Sequence, residues 1–258
     1  MAYIDRNTGA LMVVKVMTGE EMLSAPVTTI DALQQPLALL TFGGPAWAPD
    51  GSRLAFNCWD GRGDEVCVIR SDGTDRRQIT RVEASQSSAE VQHDALIPAP
   101  ANIGPPAWAP NGESLAVASY PERGGAPKGV FVVHLETGTA ERVSTLVPNS
   151  EISWLPDGDS LLFSAIEDGR SDVRLVSIGD DDASNLTSRL PQPAREPALS
   201  RDGSRLAVSS GGAIVVVSLD GEVEATQSLP LYGWSPAWSP GGDTLAFVAD
   251  PDPIASLP

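Results

Sequence analysis

The chain has 258 residues, of which 34 are acidic and 17 basic, giving a formal charge of −17. A surface this acidic repels phosphate backbones and anionic lipid, which sets nucleic acid aside as a partner. No stretch of eighteen apolar residues occurs, so no membrane span is expected.

Glycine (24) and proline (22) are plentiful and no 3.6-residue periodicity persists, so the expected elements are short strands joined by turns. The N-terminus has no basic segment leading into an apolar run of signal length. As written, the chain is expected to be cytoplasmic. A periplasmic or other extracytoplasmic location is the alternative if a leader has been lost.

The first element pair is "YIDRNTGALMV", with Ile4 followed seven residues later by Leu11. Next comes "PAWAPDGSRLAF" at 45–56, a strand–turn–strand, then "EVCVIR", a turn "SDG" and a short strand "RRQIT". Cys58 and Cys67 flank a hairpin tip and fall roughly opposite each other when it is folded back. They read either as two reduced, half-buried strand residues in a reducing compartment or as a cross-strand disulfide in an exported protein. A long insertion, residues 82–104, precedes "PAWAPNGESLAV" at 106–117. Strands "GVFVVHL" and "AERVST" follow, then a third copy around Trp154 with "DVRLVSI" and "SNLTS". A fourth copy around Leu199 continues into "AIVVVSL" and "ATQSL". The last copy, "PAWSPGGDTLAF" at 236–247, is followed only by "VADPDPIASLP".

Five copies align without gaps. The anchors are Trp47, Trp108, Trp154, Leu199 and Trp238. Four residues later stand Gly51, Gly112, Gly158, Gly203 and Gly242. Seven later stand Leu54, Leu115, Leu161, Leu206 and Leu245. Proline presets the first corner of a tight turn, aspartate takes the second, and glycine adopts the left-handed conformation that follows. Asp50, Asp157 and Asp202 therefore serve turn geometry, because one acid per repeat cannot converge on a substrate. In the degenerate copy that precedes these five, Gly9 comes one place late. Four antiparallel strands per unit of about 43 residues form the signature of a β-propeller blade.

"PAWAPDGSRLAF" with "VIRSDGTDRRQIT" resembles the WD40-like repeat of TolB-type propellers, which also builds the propellers of prolyl-oligopeptidase-type proteins. The resemblance implies an all-β propeller with blades near 1–43, 44–81, 105–146, 150–189, 195–230 and 235–258. That makes six blades with the last incomplete, or five closed by both termini. An open flank would also favour dimerisation.

Blade topology puts the second-to-third loops on one face, opposite the Pro-Asp-Gly turns. These loops carry Trp59, Arg62, Tyr120, Arg123, Asp168 and Arg170, and the insertion bearing His93 opens beside them. This face is the expected site for a protein or small polar ligand. The other reading is ordinary polar hairpin tips. There are only two histidines, His93 and His134, so a three-histidine metal site is ruled out. No G-x-S-x-G elbow, P-loop or dinucleotide glycine pattern occurs. "NLT" at 185–187 matches a glycosylation sequon. The expectation is a non-enzymatic binding scaffold without cofactor. The alternatives are the propeller of a larger hydrolase or peptidase, and a carbohydrate-active propeller enzyme.

Overall fold

The computed structural model describes residues 2–5, 10–14, 21–26, 44–59, 64–83, 95–98, 101–121, 128–180, 182–227 and 232–250. They form two compact units, Met1–Val147 and Pro148–Pro258. In the first unit, β1 (Ala2–Asp5), β2 (Ala10–Val14) and β3 (Glu21–Pro26) form one antiparallel sheet. A second sheet runs β4 (Ala46–Trp47), β5 (Arg53–Trp59), β6 (Asp64–Arg70) and β7 (Arg77–Gln78). The strands β8 (Thr80–Glu83) and β9 (Ala95–Pro98) pair in parallel. Both β10 (Ala101–Ile103) and β11 (Ala107–Trp108) lie along β12 (Ser114–Pro121), which leads to β13 (Gly129–His134) and β14 (Thr139–Ser144).

The second unit repeats this plan. One sheet is β15 (Ser153–Trp154), β16 (Ser160–Glu167), β17 (Arg170–Ser177) and β18 (Ala183–Asn185). The next is β19 (Ala194–Leu199), β20 (Arg205–Ser210), β21 (Ala213–Ser218) and β22 (Val223–Gln227). The last is β23 (Tyr232–Trp238) with β24 (Leu245–Asp250). Among the described residues there is no helix, and so none long and apolar enough to cross a membrane.

Each anchor pairs across its turn with the leucine seven residues on: Trp47 with Leu54, Trp108 with Leu115, Trp154 with Leu161, Leu199 with Leu206, and Trp238 with Leu245. Ile4 faces Leu11 in the same way. Gly51 has φ 71°, and its N–H donates to Ala48 O at 2.9 Å. This left-handed position costs a residue with a β-carbon about 1–2 kcal/mol, which is why glycine recurs there.

The core lies between consecutive sheets. Ala55, Val66 and Val68 of one sheet meet Leu115, Val117, Phe131 and Val133 of the next. In the second unit Leu162, Val173 and Leu186 meet Leu206, Val208, Val215 and Val217. Period-two alternation makes this possible, because each strand offers one apolar row to either neighbour.

Successive sheets are also latched by a device the repeat pattern did not foretell. Arg53, at the start of β5, reaches the next sheet and donates to Gly112 O at 2.7 Å. Its guanidinium lies 4.9 Å from the centre of the Trp108 ring. The Trp108 indole N–H in turn donates back to Ala46 O at 2.9 Å. Arg205 repeats the arrangement with Gly242 O and Trp238, and Trp238 donates to Ala198 O at 3.0 Å. Trp108 is 8% exposed under this cover, whereas Trp47 is 38% exposed.

The cysteines are bonded to each other rather than reduced. The register sets Cys58 opposite Glu65 and Cys67 opposite Phe56, so the bridge runs diagonally, not straight across. Both are buried rather than half-buried, at 4% and 2% exposure. The insertion, at its described ends, is built into sheet edges. Its β8–β9 pair links the second sheet outward to β14, and β10 extends the inner edge of β12. Residues 84–94 lie outside the described part.

Candidate interaction face

The second-to-third connections start at equivalent places, five residues after each strand leucine. Those places hold Trp59, Tyr120, Ile166, Gly211 and Asp250. Trp59 ends β5 and pairs with Asp64, the first residue of β6. Tyr120 is next to last in β12 and pairs with Asn102. Its ring lies over Gly104, where an added β-carbon would come within 3.1 Å of Tyr120 Cε2. Burial pushes the Tyr120 phenol up from its ordinary value. Ile166 is 57% exposed, a large apolar side chain on this face that the sequence reading passed over.

Asp168 and Gly169 form the two-residue tip between Glu167 and Arg170, which pair across it. Their φ angles are 51° and 78°. Two left-handed corners match the twist of the flanking strands, and Asp-Gly is the natural pair for them. Asp168 is therefore held by turn geometry.

Arg170 points back into its own blade. Its Nε sits 3.1 and 3.0 Å from the two oxygens of Asp172, which is 4% exposed. Nη2 donates to Leu190 O at 2.6 Å, Gln192 O at 3.2 Å and Thr187 O at 3.4 Å. The planar fork thus ties the third strand to the connection that leaves the fourth. Arg62, Arg123 and His93 lie outside the described residues. Of the residues singled out from sequence, the structure brings Asp168 and Arg170 onto one hairpin tip, and Trp59 and Tyr120 into equivalent places on consecutive sheets.

Sequence reasoning missed a buried acid–threonine clasp. Thr187 Oγ1 donates to Asp172 Oδ1 at 2.9 Å and accepts the Val173 N–H at 3.0 Å. In the second sheet Thr80 Oγ1 donates to Glu65 Oε2 at 2.5 Å and accepts the Val66 N–H at 2.8 Å. Acid and threonine stand 15 residues apart in both copies, a spacing that could have revealed the clasp. The "NLT" sequon belongs to this structure. Asn185 Nδ2 donates to Asp172 Oδ2 at 3.2 Å and Asn185 Oδ1 accepts the Thr187 N–H at 3.0 Å. Among the described residues no three His, Cys, Asp or Glu side chains gather as a metal site.

Four-stranded meanders stacked face to face, latched at their inner strands and carrying variable loops at one end, define a β-propeller. The chain belongs to the TolB beta propeller domain family, whose model matches residues 91–253. A curated relative, "Uncharacterized peptidase YuxL" of Bacillus subtilis (strain 168), is 25% identical over 228 residues. The match covers 83% of this chain but only 30% of that protein. Among solved structures, TolB from Acinetobacter baumannii superposes with a TM-score of 0.57 at 19% identity, covering 95% of this chain and 56% of that one. The Cps50 (Swd1) β-propeller domain of Myceliophteria thermophila gives 0.59 at 12% identity, covering 94% and 74%. At such identities the structural likenesses speak for the fold alone.

Proposed function

We propose that the chain is a binding module, a TolB-type propeller that captures a protein segment or small polar ligand on the face of its second-to-third loops and leaves chemistry to other parts. The observation that carries this reading is the recurrence of a large aromatic or aliphatic residue at one equivalent sequence place in three consecutive repeats, Trp59, Tyr120 and the exposed Ile166. Aromatic residues and exposed aliphatic groups are what interaction sites use. The test is selection from a random peptide display library by the purified chain, repeated with Trp59→Ala, Arg123→Ala and Ile166→Ser. Loss of the selected peptides by the variants supports the reading, and retention by all three overturns it.

A second reading is favoured by the match to YuxL. In it the propeller docks or gates substrate for a catalytic domain of a larger peptidase. Peptidase activity in the full natural reading frame, altered by the same loop variants, would support it. The same relative leaves enzymatic context open for this chain.

The Cys58–Cys67 bond supports an oxidising, extracytoplasmic compartment in place of the cytoplasm. Alkylation of free thiols in intact cells before lysis tests this, since two reactive cysteines would contradict it. The last sheet supports pairing of two copies along β24, where Ala246 is exposed and Val248 is 49% exposed. The residues equivalent to Ala246 in other sheets, Ala55, Ala116, Leu162 and Ala207, are 0% exposed. A monomeric native mass would remove that pairing.

A further inference from the structure

We infer that a single buried water molecule bridges Asn57 and Ser119 in the seam between the second and third sheets, where the insertion rejoins the fold. Ser119 is 0% exposed, and neither its Oγ nor Asn57 Oδ1 has a hydrogen-bond partner in the protein. Both atoms are buried. Buried polar atoms are nearly always paired, so two orphans that look into one seam call for a partner.

The backbone shows that they look into the same seam. Ser119 shares a strand face with Leu115 and Val117 by period two, and Asn57 shares one with Ala55. Leu115, Val117 and Ala55 belong to one apolar cluster. The Asn57 amide crosses from β5 to the end of β10, where Nδ2 donates to Ile103 O at 2.6 Å and Gly104 O at 3.3 Å. Ile103 stands directly opposite Ser119 in the β10–β12 register.

Those two carbonyls also fix the amide's orientation. Only the nitrogen donates, so Oδ1 is left as an acceptor, and the Ser119 hydroxyl has a proton to give. A water accepts from Ser119 and donates to Asn57 Oδ1, meeting the minimum of two polar partners that hold a buried water. No larger ligand suits a place with one donor and one acceptor beneath an apolar seam. The consequence reaches the proposed face without depending on it. Tyr120 follows Ser119 and by period two lies on the opposite face of β12, where it packs on Gly104, so the water sits across the strand from that ring.

The test is a high-resolution crystal structure of the full chain, joined to water–amide cross-relaxation measured by NMR. The expected result is a density peak about 2.7–3.2 Å from both oxygens. Long-lived water signals at the amides of Gly104 and Ser119 should accompany it. Ser119→Ala should abolish the peak and lower Tm by roughly 2–4 °C. Empty density in the wild-type chain, a Ser119 hydroxyl turned directly onto a protein acceptor, or a peak that survives Ser119→Ala unchanged would each overturn the inference. The wild-type density decides the matter even where the variant does not fold.

Discussion

Asp202 shows how much of this surface is local turn chemistry. Its carboxylate accepts the Ser200 hydroxyl at 2.6 Å and the Ser204 N–H at 3.1 Å. Those bonds, the Ser200 hydroxyl first, hold its pKa down to about 2 from an ordinary 3.8. The charged form is thus favoured in the folded chain. Its stabilising contribution is complete above the ordinary carboxylate value and is lost as pH falls from about 4 through about 2. A carbon-detected NMR titration should place the Asp202 midpoint near 2, and a midpoint near 3.8 would show the turn bonds to be absent in solution. The carboxyls of Asp50, Asp72, Asp220 and Asp243 are lowered by the same kind of hydroxyl and amide contacts. At this scale the sequence served well for turn aspartates, because proline, aspartate and glycine act within four residues. It served poorly for Arg170, whose backbone-carbonyl partners are 17 to 22 residues away and invisible to any local rule.

At the scale of elements, two cross-links can be tested against each other. The Arg53 latch couples sheets 59 residues apart, and the disulfide couples neighbouring strands 9 residues apart. Arg53→Met keeps the apolar stem but removes the charge over Trp108 and the bond to Gly112 O. It should cost about 1–2 kcal/mol in urea unfolding. Arg53→Lys should recover little of this, because an ammonium cannot stack and donate sideways at once. A lysine variant as stable as wild type would reduce the latch to simple charge. Cys58→Ser with Cys67→Ser should lower stability by about 2–3 kcal/mol, chiefly by freeing the unfolded chain. Equal unfolding midpoints with and without reductant would contradict that. The latch was not legible because its partner distance varies, 59 residues in one copy and 37 in the other, as connections lengthen or shorten.

At the scale of the molecule, the repeat was legible because five anchors, glycines and leucines recur in fixed spacing and each pair meets across its own turn. The number of blades is another matter. Ile4 and Leu11 pair as the first two strands of a blade do. Yet the sequence places four residues ending in Thr-Gly between the partners Asp5 and Ala10, the same spacing as between His134 and Thr139 of β13 and β14. The described sheet of β1, β2 and β3 is compatible with either count. The charge of −17 sets a further expectation. Like charges crowd the folded surface, and salt screens them over about 10 Å at 0.1 M. Tm should therefore rise by several degrees, roughly 3–8 °C, between 10 and 300 mM sodium chloride. A flat or falling profile would mean that the acids are already balanced by their neighbours.

Asn185 lies in the clasp that fastens the fourth strand of its blade, both ends of its amide committed. In a host whose secretory machinery adds oligosaccharides, the transferase could reach this amide only on the nascent polypeptide. Sugar found there would timestamp how long the blade lingers open after leaving the ribosome, and bare asparagine would mean that folding wins the race.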